Sequence, residues 1–212
     1  MIFRWQPPAS SKSLLILSSR NEHKVRELAE ILPGSELKAL PAEVELPPET
    51  GVTFEENALI KARAARNATG EAVIADDSGL EVDLLDGRPG VYSARYAGED
   101  ATDGENLAKV LAELALADGA GPGGSGSARY VCAIALIDDS GEHLFRGTCE
   151  GRLVQDLRGD GGFGYDPAFV PDATGPDDGR TMAELDPAEK NAISHRGAAA
   201  GVLAAHLEST TG

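Results

Sequence analysis

Two adjacent carboxylates, Asp76 and Asp77, close the apolar segment "AVIADD" (72–77). Ser78 and Gly79 come next, and a Ser-Gly pair after an apolar run predicts that the strand ends there in a turn. Carboxylate oxygens at the carboxyl end of a strand are suitable ligands for Mg²⁺, and one of them could accept a proton from water. The pair therefore indicates either a solvated polar turn or a cation site at which chemistry takes place.

A polar segment, "SSRNEHK" (18–24), separates the first apolar run, 14–17, from a helical pattern. The start of a helix offers backbone N–H groups and the positive end of its dipole, which together suit a phosphate group. Ser19 and Asn21 can donate hydrogen bonds to that phosphate, and Lys24 adds a positive charge. The alternative is that Asn21 caps the helix while Lys24 is solvated, since the segment has no P-loop or Rossmann glycines.

A second lysine, Lys61, lies within "TFEENALIKARAA" (53–65), where Thr53 and Glu56 have the spacing of a helix capping box. On the predicted helix Asn57 and Lys61 are four residues apart, so their side chains share one face. That face could direct a single ammonium group into a cleft. The alternative is an ordinary amphipathic helix whose lysine is solvated.

A glycine-rich segment, "GDGGFGYDPAFVPD" (159–172), contains two aromatic residues that could approach a flat ligand. Glycine permits backbone conformations that other residues resist, and it would let Phe163 or Tyr165 stack on a nucleotide base. Asp166 precedes Pro167, which restricts the backbone conformation of the aspartate. The alternative is a plain glycine-rich surface loop without a ligand.

A cationic cluster near the end of the chain, "EKNAISHRG" (189–197), stands out in an otherwise acidic sequence. Lys190, His195 and Arg196 are hydrogen-bond donors that suit a carbonyl acceptor on a base edge. A histidine near a helix end can equally be structural. Taken together, the five segments describe a phosphate-binding turn, a carboxylate metal site, a stacking loop and donors for a keto group, which is the inventory of a nucleotide site.

The composition narrows the class of partner. Nineteen Lys and Arg residues against thirty-five Asp and Glu residues give a formal net charge of −16. This balance argues against a large surface for nucleic acid or an anionic membrane, which needs clustered cations. The first apolar run, 14–17, is too short for a signal peptide or a membrane span, so we expect a cytoplasmic protein. Cys132 and Cys149 are interpreted as small buried residues.

Strands alternate with helices along the chain, which predicts a single α/β domain with a mixed sheet over 14–212, after a flexible tail over 1–13. A capping box at Thr102 and Glu105 marks one helix start, and Pro187 marks another. Strands are expected at 14–19 and 72–77, and a hairpin is expected to pair 128–137 with 142–151. Helices are expected at 21–32, 53–68 and 198–209, and two more are expected to begin after residue 102 and at residue 187. We predict a flexible loop at 119–127.

The five segments, in this order, resemble those of the inosine/xanthosine triphosphate pyrophosphatase family. The similarity rests on "SSRNEHKVREL", "TFEENALIKARAA", "ADDSGLEVDLLDGRPGVYSARYAG", "GGFGYDPAF" and "EKNAISHRG" and spans most of the chain. It implies an elongated mixed sheet flanked by helices, with two lobes around a central substrate cleft, in a homodimer. It also implies Mg²⁺-dependent hydrolysis of ITP, dITP and XTP to the monophosphate and pyrophosphate, which cleanses the nucleotide pool.

The resemblance also implies roles for individual residues. Asp77 matches the proton acceptor and a magnesium ligand, with Asp76 and Glu49 as further metal ligands. Glu49 is chosen over Glu43 and Glu45, although the length of this part of the chain varies in the family. The implied substrate-binding residues are Ser19, Arg20, Asn21, Glu22, His23, Lys24, Lys61, Ser78, Phe163, Gly164, Tyr165, Asp166, Lys190, His195 and Arg196.

Two positions differ from the family pattern, because His23 stands where glycine is common and Arg20 where the residue is often small. Two other classes of function stay open at this point. A nucleotide sensor on the same fold would bind without hydrolysis, and a purely structural α/β domain would not bind nucleotides. The intact carboxylates and lysines favour the enzyme over both.

Overall fold

The computed structural model describes residues 13–19, 22–32 and 34–210. The side chains of six residues in these ranges are not described: Ser13, Glu22, His23, Lys24, Arg26 and Glu27. Apart from Ser13, the predicted tail lies outside the described residues. No helix in the described part of the chain is long and apolar enough to cross a membrane.

Six strands and five helices form the regular structure of the described residues. The strands are β1 (Ser13–Leu17), β2 (Ser35–Ala39), β3 (Val73–Val82), β4 (Gly126–Asp138), β5 (Gly141–Leu153) and β6 (Phe169–Pro171). The helices are α1 (Glu22–Ile31), α2 (Phe54–Thr69), α3 (Asp103–Leu116), α4 (Pro187–Ile193) and α5 (His195–Thr210). A short 3-10 helix, Gly90–Arg95, follows β3 and lies beside the site described below.

The strands form one sheet in the order β2-β1-β3-β4-β5-β6. Strand β1 runs parallel to β2 and β3, whereas β3, β4, β5 and β6 pair antiparallel in succession. The predicted mixed sheet flanked by helices is therefore confirmed. Parallel pairs need crossover connections, which α1 and α2 provide, and the antiparallel half needs only the β4–β5 hairpin.

Local sequence signals explain where the helices begin. The Oγ1 atom of Thr53 accepts a hydrogen bond from the backbone N–H of Glu56, and Gly70 ends α2 in the left-handed conformation with φ of 72°. Thr102 and Glu105 form a complete capping box at the start of α3. Both predicted helix starts are confirmed.

The predicted hairpin is also confirmed. The Oδ1 atom of Asp138 accepts hydrogen bonds from the backbone N–H groups of Ser140 and Gly141, which closes the turn between β4 and β5. The loop predicted at 119–127 is shorter than expected, because β4 already begins at Gly126. Within that loop the backbone N–H of Gly121 donates to the carbonyl of Ser125, so the segment forms a tight turn.

The predicted turn at Ser78 and Gly79 is wrong, because β3 continues without interruption to Val82. Gly79 is required for close packing and not for chain reversal. A Cβ atom at this position would lie 2.4 Å from Oγ of Ser93 and 2.6 Å from the carbonyl oxygen of Gly90. A glycine within a strand often marks such a close approach of another backbone segment.

Two other elements differ from the sequence expectations. Strand β2 was not predicted; it is a five-residue edge strand that is only partly buried, so its apolar pattern is weak. The C-terminal helix begins at His195 and not at residue 198, two residues after α4 ends at Ile193. This earlier start matters because it places two of the predicted site residues in the first turn of α5.

The sheet separates two apolar clusters at one end of the molecule. On one face Ile74 and Ile134 pack with Leu28 of α1 and Leu203 of α5. On the other face the neighbouring positions Val73, Ala75 and Ala133 pack against Ala58 and Ala62 of α2. Successive residues of β3 therefore face different helices, as strand alternation requires.

A third cluster occupies the other end of the sheet. Leu107 and Leu114 of α3 pack there with Leu80, Leu153 and Phe169. A cavity of about 350 Å³ is lined by residues from both ends of the molecule. The implied division into two parts around a cleft corresponds to these separate cores.

Candidate active site

The cavity brings together most of the predicted site residues. Those that line it are Ser19, Glu49, Lys61, Asp77, Ser78, Phe163, Gly164, Tyr165, Asp166, Lys190, His195 and Arg196. They come from the end of β1, the segment before α2, helix α2, strand β3, the glycine-rich loop at 159–166, helix α4 and the start of α5. Segments far apart in sequence therefore meet at one cleft of the size of a small-molecule site.

The predicted phosphate-binding turn follows β1 directly. The backbone N–H of Ser18 donates to the carbonyl of Ile74, and α1 begins at Glu22, so the strand-to-helix junction is confirmed. Ser19 lines the cavity. Arg20 and Asn21 lie outside the described residues, as do the side chains of Glu22, His23 and Lys24.

Helix α2 places two polar side chains against Asp77. The Nζ atom of Lys61 lies 3.3 Å from Oδ1 of Asp77 and 2.7 Å from Oε1 of Glu49. The amide Nδ2 of Asn57 donates to Oδ2 of Asp77 at 3.1 Å, while its Oδ1 accepts a hydrogen bond from the backbone N–H of Gly51 at 2.8 Å. The i, i+4 spacing of Asn57 and Lys61 was visible in the sequence, but the role of Asn57 as a partner of Asp77 was not predicted.

The lysine remains charged in this environment. Burial of the Lys61 ammonium opposes its charge, but Asp77, Asp76 and Glu49 together outweigh that effect and raise the pKa of Lys61 above its usual value. Lys61 is 8% exposed and Asp77 is 6% exposed. A fixed positive charge thus lies between two carboxylates at one end of the cavity.

This end of the cavity fits a divalent cation. The carboxylates of Asp77 and Glu49 converge on one ammonium group, which occupies a position between them that suits a cation. Arg95 lies 3.5 Å from the other oxygen of Glu49 and directs this side chain. Mg²⁺ is typically held by one or two carboxylates with waters and substrate phosphates, so two acids suffice. Among the described residues no cluster of three or more metal-binding side chains is present.

Asp76 lies on the opposite face of β3 from Asp77. Its Oδ2 atom is 3.5 Å from Nε of Arg196, and both residues are 1% exposed. The Nη2 atom of Arg196 also donates to Oγ of Ser78 at 3.1 Å. The structure therefore separates the adjacent aspartates, because β3 runs as an extended strand through both residues and successive side chains of a strand point to opposite faces.

The other end of the cavity contains the predicted base-binding residues. The Nζ atom of Lys190 and the backbone N–H of Phe163 each lie 2.9 Å from Oδ2 of Asp166 and donate to it. The same ammonium group is 4.9 Å from the centre of the Phe163 ring. Asp166 is 3% exposed, so it ties the glycine-rich loop to α4 from a buried position.

The loop has two further attachments. The hydroxyl of Tyr165 donates to the carbonyl of Ser93 at 2.7 Å, and the backbone N–H of Gly164 donates to Oδ2 of Asp103 at 2.8 Å. Burial, with smaller effects of Asp103 and Tyr96, raises the pKa of Tyr165, so this phenol stays a neutral donor. Ser93 and Asp103 were not predicted, because only the folded chain brings them to the loop.

Comparisons with known proteins identify the family of this chain. A model of the Ham1 family matches residues 15–206. A dITP/XTP pyrophosphatase of Mycolicibacterium paratuberculosis is 48% identical, with 92% of this chain and 96% of the relative covered. A second dITP/XTP pyrophosphatase, from Methylococcus capsulatus, is 46% identical, with 93% and 98% covered.

Solved structures show the same similarity. A HAM1 protein from Coxiella burnetii superposes with a TM-score of 0.82 at 44% identity and covers 93% of this chain and 99% of its own. A nucleoside-triphosphatase / dITP/XTP pyrophosphatase from Mycobacterium abscessus has a TM-score of 0.71 at 45% identity, with 90% and 98% covered. By sequence and by fold, the chain belongs to the Ham1 family.

Proposed function

We propose that this protein hydrolyses dITP, XTP and the related ITP to the nucleoside monophosphate and pyrophosphate. The observation that carries the proposal is the arrangement at Lys61, where Asp77 and Glu49 converge on one cationic position inside a cavity. Aromatic and hydrogen-bond donor side chains line the far end of the same cavity. The relatives named dITP/XTP pyrophosphatase support the same assignment.

In the proposed reaction a water molecule attacks the α-phosphorus of the bound nucleotide. Asp77 accepts a proton from this water, and Asn57 and Lys61 hold the carboxylate in position. The bond between the α-phosphorus and the oxygen of the β-phosphate breaks, and its electron pair leaves with pyrophosphate. Lys61 offsets negative charge that develops on the phosphate oxygens. We expect Lys24 in the first turn of α1 to add a second positive charge.

We further propose that Asp77 and Glu49 would hold the Mg²⁺ ion. When bound, the metal supplies charge stabilisation for the triphosphate oxygens. Asp76 was also a predicted metal ligand. Its carboxylate lies on the face of β3 that packs against Arg196 of α5, so we propose that Asp76 forms an ion pair with this arginine and does not bind the metal. The proposed ligand set is consequently narrower than the sequence suggested.

Selection of the base follows from hydrogen-bond donors at the far end of the cavity. Lys190, His195 and Arg196 are donors, and a 6-keto purine presents an acceptor to them. Adenine presents an amino group at that position, so donors would face a donor and each unpaired buried group would cost about 1–3 kcal/mol. Guanine also carries a 6-keto group, so it presents the same acceptor to these donors as xanthine does.

A panel of nucleoside triphosphates with Mg²⁺ tests the proposal. The purified protein should release pyrophosphate from dITP, ITP and XTP and much less from dATP, and GTP provides a comparison with another 6-keto base. Removal of Mg²⁺ by a chelator should stop turnover. Release of orthophosphate in place of pyrophosphate would show that the reaction class is wrong, and binding without turnover would favour a nucleotide sensor.

We propose a homodimer, a cytoplasmic location and no nucleic-acid or membrane partner, in keeping with the acidic composition. The molar mass, measured by light scattering after size-exclusion chromatography, tests the proposed dimer. A monomeric mass at micromolar concentration would contradict it.

A further inference from the structure

Tyr130 is a buried tyrosine at the base-binding end of the cavity that none of the sequence motifs includes. It lies in β4, opposite Cys149 of β5, and it is 7% exposed. Its ring stacks on the imidazole of His195, with centroids 4.8 Å apart and planes 12° apart. On another side it contacts the ring of Phe169 at 4.6 Å. A phenylalanine would provide all of this packing.

The hydroxyl of Tyr130 makes a contact that phenylalanine cannot make. It donates to Oδ1 of Asp166 at 2.9 Å. The other oxygen of Asp166 accepts from Lys190 and from the backbone of Phe163. Three donors from β4, α4 and the glycine-rich loop therefore meet on one carboxylate, and such charge-assisted bonds are about twice as strong as neutral ones.

The hydroxyl of Tyr130 stays protonated at ordinary pH and can therefore donate to Asp166. Burial and the Asp166 carboxylate raise the pKa of Tyr130 well above its usual value. A hydroxyl buried without a partner would cost free energy, so its presence here depends on Asp166. Tyr130 is thus joined to three of the base-binding residues at once: Asp166 by a hydrogen bond, His195 by stacking and Lys190 through Asp166.

We propose that Tyr130 is a positioning residue for base recognition, which fixes Asp166 and His195 so that Lys190 and the loop present one arrangement to the purine. This assignment rests on the proposed function. Hydrogen-bonded base recognition discriminates strongly only when the groups that read the base are held in place. Loss of the hydroxyl therefore weakens the reading of the base while the carboxylates at Asp77, at the other end of the cavity, are untouched.

The test compares Tyr130→Phe with the unaltered enzyme on dITP and dATP in the presence of Mg²⁺. We expect KM for dITP to rise about tenfold, the scale of one lost hydrogen bond to a charged group, with kcat nearly unchanged. The preference for dITP over dATP, measured as a ratio of kcat/KM, should fall by a similar factor. Thermal unfolding of the variant should remain cooperative.

Tyr96→Phe is the matched control. The hydroxyl of Tyr96 also donates to a carboxylate, that of Glu113, but neither residue lines the cavity. This variant should keep the KM and the preference of the unaltered enzyme. An unchanged KM and preference in Tyr130→Phe, or a loss confined to kcat, would overturn the positioning role. If the unaltered enzyme released no pyrophosphate from dITP or XTP, the proposed function itself would fail.

Discussion

Asp76 and Asp77 are neighbours in sequence, yet they lie in opposite surroundings. Asp77 faces α2 and the cavity, where it shares the ammonium of Lys61 with Glu49. Asp76 faces α5 and pairs with Arg196, and both residues are 1% exposed. Asp77 and its partner Lys61 both line the cavity, whereas in the other pair only Arg196 reaches the cavity and Asp76 does not line it.

The contrast shows how one strand can place a carboxylate for catalysis on one face and a carboxylate for structural stability on the other. A carboxylate beside a cavity can exchange partners when a ligand arrives. A buried ion pair has a fixed geometry, and removal of one partner leaves an uncompensated charge that costs about 3–5 kcal/mol. Strand alternation alone makes the difference, since residues 76 and 77 must point to different faces.

The largest expected effect is on activity, in Asp77→Asn. The amide keeps the shape of the side chain but does not accept the proton, so kcat should fall by about 10²- to 10⁴-fold. The measurement is steady-state release of pyrophosphate from dITP, with a urea unfolding curve as the control for folding. Substantial activity in a well-folded variant would remove Asp77 from its assigned role.

The matching change on the other face, Asp76→Asn, should act mainly on stability. It leaves the Arg196 guanidinium buried without its carboxylate, and we expect the free energy of unfolding to fall by about 3–5 kcal/mol. Adding Arg196→Met should recover part of this loss, because the unpaired charge is then removed as well. A stable Asp76→Asn protein whose activity is lost would instead place Asp76 in the chemistry.

Asn57→Ala should give an intermediate effect. Asn57 is fully buried, and its loss leaves Asp77 and the backbone N–H of Gly51 each without one partner, which costs about 1–3 kcal/mol per group. Because the same contact orients Asp77, we expect kcat to fall along with stability. Unchanged kcat in a destabilised variant would limit Asn57 to a structural role.

The smallest expected effect is on stability, at Asp138 in the hairpin turn, which belongs to neither the Asp77–Lys61 nor the Asp76–Arg196 pair. Burial opposes its ionisation, but hydrogen bonds from Ser140 and Gly141 outweigh this and lower the pKa of Asp138. Its stabilisation, about 1 kcal/mol, is therefore present above the unfolded pKa of about 3.9 and is lost as the pH falls through the lower folded value. The measurement is urea unfolding of Asp138→Ala and of the unaltered protein from pH 7 to pH 3. The difference between their free energies of unfolding should shrink as the pH falls. A difference that stays constant would contradict this role of the Asp138 carboxylate.

Several parts of the fold were predictable because their causes are local. The capping residues Thr53 and Thr102, the terminating Gly70 and the hairpin acid Asp138 act on backbone groups within a few residues. Local rules failed where a distant segment decides the outcome. Gly79 has the sequence of a turn, but it lies within β3 because Ser93 and Gly90 pack against its α-carbon.

The candidate site shows the same division. Motifs and the family resemblance named many of the residues that line the cavity, because particular chemistry requires particular side chains. They did not indicate Asn57 or Tyr130 as partners of Asp77 and Asp166. An asparagine or tyrosine carries no sign of its partner until the chain folds.

By itself the sequence determined the presence of β1, β3 and the β4–β5 hairpin, the starts of α2 and α3, and the residue types available for nucleotide chemistry. These follow from short-range capping, periodicity and composition. Only the tertiary structure decided that Glu49 and Asp77 meet at Lys61, while Asp76 turns to Arg196. The physical reason is that side-chain partners across a sheet depend on strand register and helix placement, which the whole chain sets together.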